Sequence, residues 1–215
     1  IINSLNKKWQ AEQVRVTYSQ YHDFEMDFIH KHAIYFEEEA VPTNEVNNLL
    51  SKCRSEKISL NDYLIAEMML KENTNKVVIA ADIRKQLACY HKDALGNYAT
   101  AMGIVCKKHH EDIWLCAKEV SYQIKKHLAA NKKAMLILAC YFRMLPELID
   151  AVAIATLSDF PSKAAKFVGA KMFGYEKRNG YSITNLGNIC NPYIIEATFI
   201  PPATPANQKT MGILS

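Results

Sequence analysis

The stretch Lys76-Val-Val-Ile-Ala-Ala-Asp-Ile-Arg84, followed by Leu95-Gly-Asn-Tyr-Ala-Thr-Ala-Met-Gly-Ile-Val105, predicts the centre of the fold. Both segments carry apolar runs of the kind that forms buried strands. The first run ends on an acid and a cation two positions apart, Asp82 and Arg84. Alternate residues of a strand lie on one face, so these side chains are expected to form an ion pair or hydrogen-bonded anchor at the strand end.

Other strands and helices follow from the pattern on either side. The first 40 residues are mostly strand-like, at 14–18 and 33–37. Thr43 and Ser59 are predicted helix N-caps, with Asp62 completing a capping box after Ser59. Further helices are predicted over about 111–130, 133–143, 146–156 and 162–173, and strands near 77–83, 97–106, 180–185, 194–199 and 211–214. This order predicts an α/β fold, a two-layer sandwich in which helices cover one face of a mixed β-sheet.

Composition restricts the class of protein. The chain has 215 residues, 49% of them hydrophobic and 22% charged, which is typical of a globular protein with a real core. The longest apolar run, 134–142, is far shorter than the roughly 20 residues of a membrane span. Residues 1–100 hold 12 Lys and Arg against 14 Asp and Glu, whereas residues 101–215 hold 14 against 8. This mild bias lacks the dense stripe typical of nucleic-acid binding and suits a small anionic ligand.

The six cysteines show no C-x-x-C motif and no regular spacing. Most lie in apolar surroundings, which favours free buried thiols in a reducing cytoplasm over a disulfide framework. No signal peptide is visible, and we expect a cytoplasmic protein. The first residues, Ile1-Ile2, and the apolar end at 211–215 suggest a piece of a longer polypeptide.

Four short motifs occur in order between Tyr35 and Ser215: Ile58-Ser-Leu-Asn-Asp-Tyr-Leu-Ile-Ala66, Ile79-Ala-Ala-Asp-Ile-Arg84, Leu95-Gly-Asn-Tyr98 and Thr184-Asn-Leu-Gly187. Together they resemble the C-terminal half of the chloramphenicol-acetyltransferase-like superfamily, which includes alcohol acetyltransferases and the condensation domains of non-ribosomal peptide synthetases. The resemblance implies a C-terminal subdomain of that fold over 35–215. It also implies that 1–34 form linker or crossover strands from an N-terminal half that the chain lacks.

The activity that this resemblance implies is that of a coenzyme-A-type O-acyltransferase. Acyl-coenzyme A or an acyl carrier thioester would be a substrate, not a tightly bound cofactor, and an alcohol or similar group the acceptor. The family's catalytic motif, His-His-x-x-x-Asp-Gly, is missing. His109-His110 is followed by Trp114 and Leu115 at the Asp and Gly positions, and it lies after the Asp-x-Arg element instead of before it. We expect a solvated helix N-terminus there, no catalytic residue, and a chain inactive alone.

The resemblance also implies roles for named residues. Arg84 would pair with the aspartate of the missing motif and so anchor the two halves, and a local Asp82–Arg84 pair is the alternative. Asn97, Tyr98, Thr184 and Asn185 would line a substrate tunnel between the halves. The alternative is that Asn97 and Asn185, beside Gly96 and Gly187, only form tight strand starts.

Two further functions stay open. One is half of a peptide-synthetase condensation domain, disfavoured because Ala99-Thr100-Ala101 replaces Val-Asn-Thr and the His-Gln-Asp-hydrophobic-Pro-Phe motif is missing. The other is a non-catalytic module that binds a carrier protein or partner chain. Loss of the N-terminal half should expose apolar surface, so we also expect a homo-oligomer.

Other clusters give weaker signals. Cys106, His109, His110, Asp112 and Cys116 fit no standard zinc spacing, and we expect no metal. Cys89 and His91 could be a thiol and its base, but no orienting acid is evident. The lysines at 125, 126, 132 and 133 could attract coenzyme A phosphates or an acidic carrier protein, although a solvated helix face explains them as well.

Overall fold

The computed structural model describes residues 1–88, 90–91, 96, 98–129, 132–177, 179–189, 191–201 and 204–214. These residues form eight α-helices and four strands, so the fold is α/β as expected. The helices are α1 (Ile2–Glu12), α2 (Tyr18–Lys31), α3 (Thr43–Ser55), α4 (Leu60–Lys71), α5 (Ile113–Ala129), α6 (Lys132–Arg143), α7 (Pro146–Leu157) and α8 (Lys163–Phe167), the last continued by a π-helical segment, Val168–Phe173. The strands are β1 (Lys76–Asp82), β2 (Ala99–Val105), β3 (Gly180–Asn185) and β4 (Asn207–Ile213).

The four strands form one mixed, open sheet in the order β2-β1-β3-β4. β1 pairs antiparallel with β2, from Lys76 opposite Val105 to Asp82 opposite Ala99. β1 pairs parallel with β3, where Val78 lies opposite Ser182. The mixed sheet is therefore confirmed. The strand predicted over 194–199 is absent from the described part of that segment, and β4 begins four residues before the predicted start at 211.

Local capping explains where several helices begin. The Ser59 hydroxyl accepts the Asp62 N–H at 3.1 Å, and the Asp62 carboxylate accepts the Ser59 N–H at 2.8 Å, which is the predicted capping box. Ser162 caps α8 by accepting the Ala165 N–H at 3.0 Å. Thr43, by contrast, is the first helical residue of α3, because the N-cap position is held by Pro42 without a side-chain bond.

The first 40 residues differ most from the prediction. Instead of linker or crossover strands over 1–34, they form α1 and α2. Thr17 and Gln20 form a reciprocal capping box that begins α2. Ile2, Leu5 and Trp9 recur at helical spacing on the buried side of α1. These helical signals outweigh the β-branched residues around 14–18 that favoured a strand.

The chain divides into two compact units. The first comprises 1–40, 139–179 and 204–207, and its core joins α1 to α7, α8 and the π-helical segment through Trp9, Leu148 and Val152. Glu12 adds polar links, because its carboxylate accepts the Ser162 hydroxyl at 2.6 Å and the Ala164 N–H at 2.9 Å.

The second unit, 41–138, 180–203 and 208–215, contains the sheet and α3 to α5. Alternate residues of the strands, among them Val77, Ile104 and Ile183, are buried with α4 and α5. This unit is an α/β sandwich. Burial in α5 follows Cys116, Ala117 and Val120, while Leu115 is 56% exposed.

Within the described part of the chain, no helix combines the length and apolar character needed to cross a membrane. Among these residues Cys53, Cys106 and Cys116 are buried, Cys140 is half-buried, and all four are free thiols.

Candidate functional site

A cavity of about 210 Å³ lies in the second unit, where the carboxyl ends of β1 and β3 meet the beginning of α4 and the second half of α5. We call it the strand-end pocket. Both apolar and polar side chains line it, and we call the apolar set its wall and the polar set its rim. The wall includes Ile65, Ile79, Met102, Ile124 and Ile183, and the rim Ser59, Asn61, Asp62, Asp82 and Asn185. Apolar walls with a few convergent polar groups are typical of small-molecule sites.

The α4 side of the rim is fixed by the capping box. Asp62 is buried, and its carboxylate is engaged by the Ser59 N–H. Asn61 lies between these two residues, and its Oδ1 accepts the Nδ2–H of Asn185 at 2.6 Å. A side-chain bond therefore joins the start of α4 to the end of β3 at the pocket.

Asn185 uses both ends of its amide. Besides the bond to Asn61, its Oδ1 accepts the Gly187 N–H at 2.6 Å. Gly187 has φ of +71°, a left-handed conformation that glycine adopts without strain. Asn185 is therefore held at the rim by a tight turn at the end of β3, not at a strand start as predicted.

Asp82 and Arg84 form the predicted anchor. Asp82 Oδ2 lies 2.7 Å from Arg84 Nε, and Asp82 Oδ1 accepts the Arg84 backbone N–H at 2.9 Å. The pair is solvent-accessible, at 55% and 45% exposure, and not buried. The backbone N–H of Arg84, with its guanidinium, lowers the pKa of the Asp82 carboxyl. The Asp82 carboxylate correspondingly raises the pKa of Arg84.

Two tyrosines hold the guanidinium from the other side. Arg84 Cζ lies 5.5 Å from the Tyr98 ring centre and 6.0 Å from that of Tyr90, and the two rings meet edge to face at 5.6 Å. The Ile83 N–H donates to the Tyr98 carbonyl at 3.0 Å, which fixes this tyrosine beside the anchor. Arg84 is therefore positioned by a carboxylate and two aromatic faces.

The predicted site residues are partly brought together. Asp82 and Asn185 share the pocket rim, Arg84 pairs with Asp82, and Tyr98 lies beside the Arg84 guanidinium without lining the cavity. Thr184 is half-buried on β3 and does not line the cavity. Asn97 lies outside the described residues, as does Cys89 of the thiol–imidazole alternative. The tunnel role of these residues stays a prediction.

Sequence reasoning missed a second polar pair. His110 Nε2 lies 2.5 Å from Glu119 Oε2, and both side chains are mostly buried, at 16% and 17% exposure. Glu119 Oε1 also accepts the Lys107 N–H at 2.8 Å. Burial raises the pKa of Glu119, but these hydrogen bonds outweigh it and the pKa is lowered overall. His109 is exposed as expected, whereas His110 is not part of a solvated helix start.

The helix that contains Glu119, α5, begins with a cap that sequence reasoning also overlooked. The Asp112 carboxylate accepts the Leu115 N–H at 2.8 Å, as an N-cap residue does. α5 therefore starts at Ile113, and the Lys107–Asp112 segment folds back over Glu119. One sequence signal could have suggested this contact. Glu119 follows the cap residue Asp112 and lies three positions after the buried Cys116, so it falls close to the buried side of α5.

Cys106 and Cys116 lie in mutual contact below this segment. The contact with Cys116 and burial raise the pKa of the Cys106 thiol, which disfavours its thiolate form. In the described ranges, no group of three or more His, Cys, Asp or Glu side chains is arranged to hold a metal ion.

Comparison with known proteins gives no relative. The chain matches no family model, no curated protein and no solved structure at a significant level. The site must therefore be interpreted from its own geometry.

Proposed function

We propose that this chain is the substrate-binding C-terminal subdomain of a coenzyme-A-type O-acyltransferase with the chloramphenicol-acetyltransferase-like fold. The observation that carries the proposal is the strand-end pocket, a cavity lined by apolar and polar side chains, with Asp82 at its rim and the Arg84 anchor beside it. Its volume of about 210 Å³ is below the range of drug-sized pockets and suits an acyl group of a few carbons.

The chemistry assigns this chain a binding role. In acyl transfer, the acceptor oxygen attacks the thioester carbonyl carbon, the carbon–sulfur bond breaks, and a base passes the acceptor's proton to the departing thiolate. Among the residues that the structure describes, the pocket lining contains carboxylates and amides but no histidine. A His-His-x-x-x-Asp-Gly motif on a partner half would supply the base.

Arg84 is suited to receive that partner half. A guanidinium has five N–H donors. Asp82 uses the Nε side, and the Tyr90 ring lies 6.0 Å from the Arg84 Cζ. Donors remain for a second carboxylate, and the exposure of Arg84 leaves them accessible. The local anchor and the inter-half anchor are therefore compatible, because Asp82 would pre-orient the guanidinium for the incoming aspartate.

A second candidate is a non-catalytic module that binds a carrier protein or partner chain. It is favoured by the first unit, where no residue of α2 is fully buried and Phe24 is only partly buried against the core. The segment after α2 exposes Ile34, Tyr35 and Phe36. Exposed apolar surface of this kind is typical of protein interfaces and also agrees with the expected self-association.

The proposal is tested by calorimetric titration of the chain with acetyl-coenzyme A. We expect saturable one-to-one binding that Ala80→Trp weakens at least about tenfold, because Ala80 is exposed and lines the pocket, so an indole there fills it. Val105→Trp is the matched control, an exposed strand residue opposite Lys76 at the other end of β1. Equal loss in both variants, or no binding to the unaltered chain, would refute the proposal.

A further inference from the structure

Two buried thiols meet in the second unit, where β2 ends and α5 begins. Cys106 directly follows β2, and Cys116 lies in the first turn of α5. Their side chains are 2% and 3% exposed and belong to the same core cluster. The two sulfur atoms are in hydrogen-bond contact with each other. A pair of free thiols in contact is the arrangement from which a disulfide can form.

Hydrogen bonds outside the two side chains hold this arrangement in place. The Cys106 N–H donates to the Asn75 carbonyl at 2.9 Å, which fixes the backbone after β2. The Lys107 N–H donates to Glu119 Oε1 at 2.8 Å. Lys107 is the residue after Cys106, and Glu119 lies one helical turn after Cys116. This bond therefore brings the end of β2 onto the first turns of α5 independently of the sulfur contact.

The two thiols differ in reactivity. The Cys106 S–H donates to the Cys116 sulfur, and this bond, together with the nearby His110 ring, lowers the pKa of Cys116 although burial opposes it. The same contact raises the pKa of Cys106. Glu119 holds the His110 ring in position. Because the thiolate is the nucleophilic form of cysteine, Cys116 is the sulfur that reacts first.

A small oxidant has a route to the pair. A cavity of about 350 Å³ lies beside the segment that follows β2, and its lining includes Lys107, His110 and Glu119. Lys107 is covalently joined to Cys106, and Glu119 is one turn from Cys116. The cavity therefore lies next to the chain at both thiols. Hydrogen peroxide, which is little larger than water, can enter a space of this size.

We propose that Cys106 and Cys116 form a redox-active pair that closes to a disulfide when a hydroperoxide oxidises it. The Cys116 thiolate attacks one peroxide oxygen, the O–O bond breaks, and a sulfenic acid forms while the other oxygen leaves as water. The Cys106 sulfur then attacks the Cys116 sulfur, and the S–O bond breaks to release a second water. Two thiols are thus oxidised and one hydrogen peroxide is reduced to two waters.

This pair is independent of the proposed acyltransferase function, because neither cysteine lines the strand-end pocket or contacts the Asp82–Arg84 anchor. Its formation would join the end of β2 covalently to α5. Such a bond restricts the unfolded chain, so the oxidised form should be the more stable one.

The test is to treat the folded chain with hydrogen peroxide, alkylate the remaining thiols and map tryptic peptides without reductant. Cleavage after lysine separates the two cysteines, with Cys106 in 93–107 and Cys116 in 109–118. We expect these peptides to be linked, with the loss of two hydrogens, and to separate again with dithiothreitol. This pair should be at least about tenfold more abundant than any other cysteine pair, because contact favours the second step.

Three variants test the assigned roles. Cys116→Ser should abolish the link. Cys106→Ser should leave the sulfenic acid on Cys116 unresolved, so that dimedone labels peptide 109–118. Cys53→Ser is the matched control, because Cys53 is buried in the same cluster but burial and Asp62, not a second thiol, raise its pKa. It should change the yield of the linked pair by less than about twofold.

The proposal would be overturned if peroxide oxidised the chain without linking 93–107 to 109–118, or if other cysteine pairs formed in equal amount. Dimedone labelling of Cys106 in the Cys116→Ser protein, with none on Cys116 in Cys106→Ser, would overturn the assigned order of attack. The link in the unaltered chain needs no substitution, so the test does not depend on how the variants fold. Circular dichroism melting checks the fold of each variant.

Discussion

At the scale of single residues, the Asp82–Arg84 pair and the His110–Glu119 pair differ in solvent exposure and therefore in their contribution to the stability of the fold. The first is about half exposed, and surface ion pairs add little to stability. Its effect is to orient a guanidinium at the rim of the strand-end pocket. The second is mostly buried and fixes the Lys107–Asp112 segment onto α5, so it should matter for folding.

Replacing Glu119 by Gln tests that difference. At pH 7 we expect the free energy of unfolding to fall by about 1–2 kcal/mol, because hydrogen bonds to an ionised carboxylate are lost. The pKa of Glu119 is lowered in the folded state, so its contribution is complete above the unfolded value of 4.5 and disappears as the pH falls through the lower folded pKa. Urea unfolding of both proteins between pH 7 and pH 3 measures this.

Glu111→Gln, an exposed acid near the end of the same segment, is the control and should change stability little at any pH. A Glu119→Gln effect that stays constant down to pH 3 would show that packing, and not charge, is responsible.

The contacts that could be predicted from the sequence join residues that lie close together along the chain. Asp82 and Arg84 are two positions apart, and Asn185 lies next to the glycine turn that it binds, so local geometry indicates both contacts. His110 and Glu119 are nine positions apart across a helix cap, and their contact depends on the fold of the segment between them.

At the scale of elements, the π-helical segment after α8 approaches α7 closely at Gly169. A Cβ added at Gly169 would lie 1.8 Å from Thr156 Oγ1 and 3.0 Å from Thr156 Cβ. Thr156 is held in place, since its hydroxyl donates to the Val152 carbonyl at 2.7 Å. The lack of a side chain at 169 is therefore required by packing.

Gly169→Ala is expected to destabilise the chain. In an open helix this change would stabilise by about 1 kcal/mol, but here the overpacking cost of about 1–3 kcal/mol is larger. Thermal unfolding should show a lower Tm for Gly169→Ala and partial recovery when Thr156→Ala is added.

Gly103→Ala is the control on β2, where a Cβ would meet only the Lys76 Cε at 3.5 Å, an ordinary contact. An unchanged or raised Tm for Gly169→Ala would mean that α7 and the π-helical segment are not packed as described.

Helices were predicted correctly where the capping residues and the spacing of apolar residues indicate the same helix. Ser59 and Asp62 predict the start of α4 because a capping box is purely local. In the first 40 residues, the β-branched pattern near 14–18 competed with the capping box at Thr17, and the helix prevailed. The start of β4 at Asn207 was missed because it depends on pairing with β3, and sequence period cannot show register.

At the scale of the whole molecule, each compact unit is assembled from separated stretches of chain. Residues 1–40 pack with 139–179, and the sheet of the other unit takes β3 and β4 from the final third of the chain. Helix period and strand alternation indicate the α/β class, but they carry no signal for such long-range closure. The strand-end pocket could not be predicted for the same reason, because three strands and two helices must meet to form it.

The central proposal is that this pocket binds an acyl thioester which the chain does not itself consume. The most direct measurement is the ¹³C resonance of carbonyl-labelled acetyl-coenzyme A in the presence of the chain. We predict a shifted thioester signal that persists and returns to its free position with Ala80→Trp. An unshifted signal, or conversion to acetate or to an acetyl ester by the chain alone, would contradict the proposal, and loss of that conversion in His110→Ala would place a base within this chain.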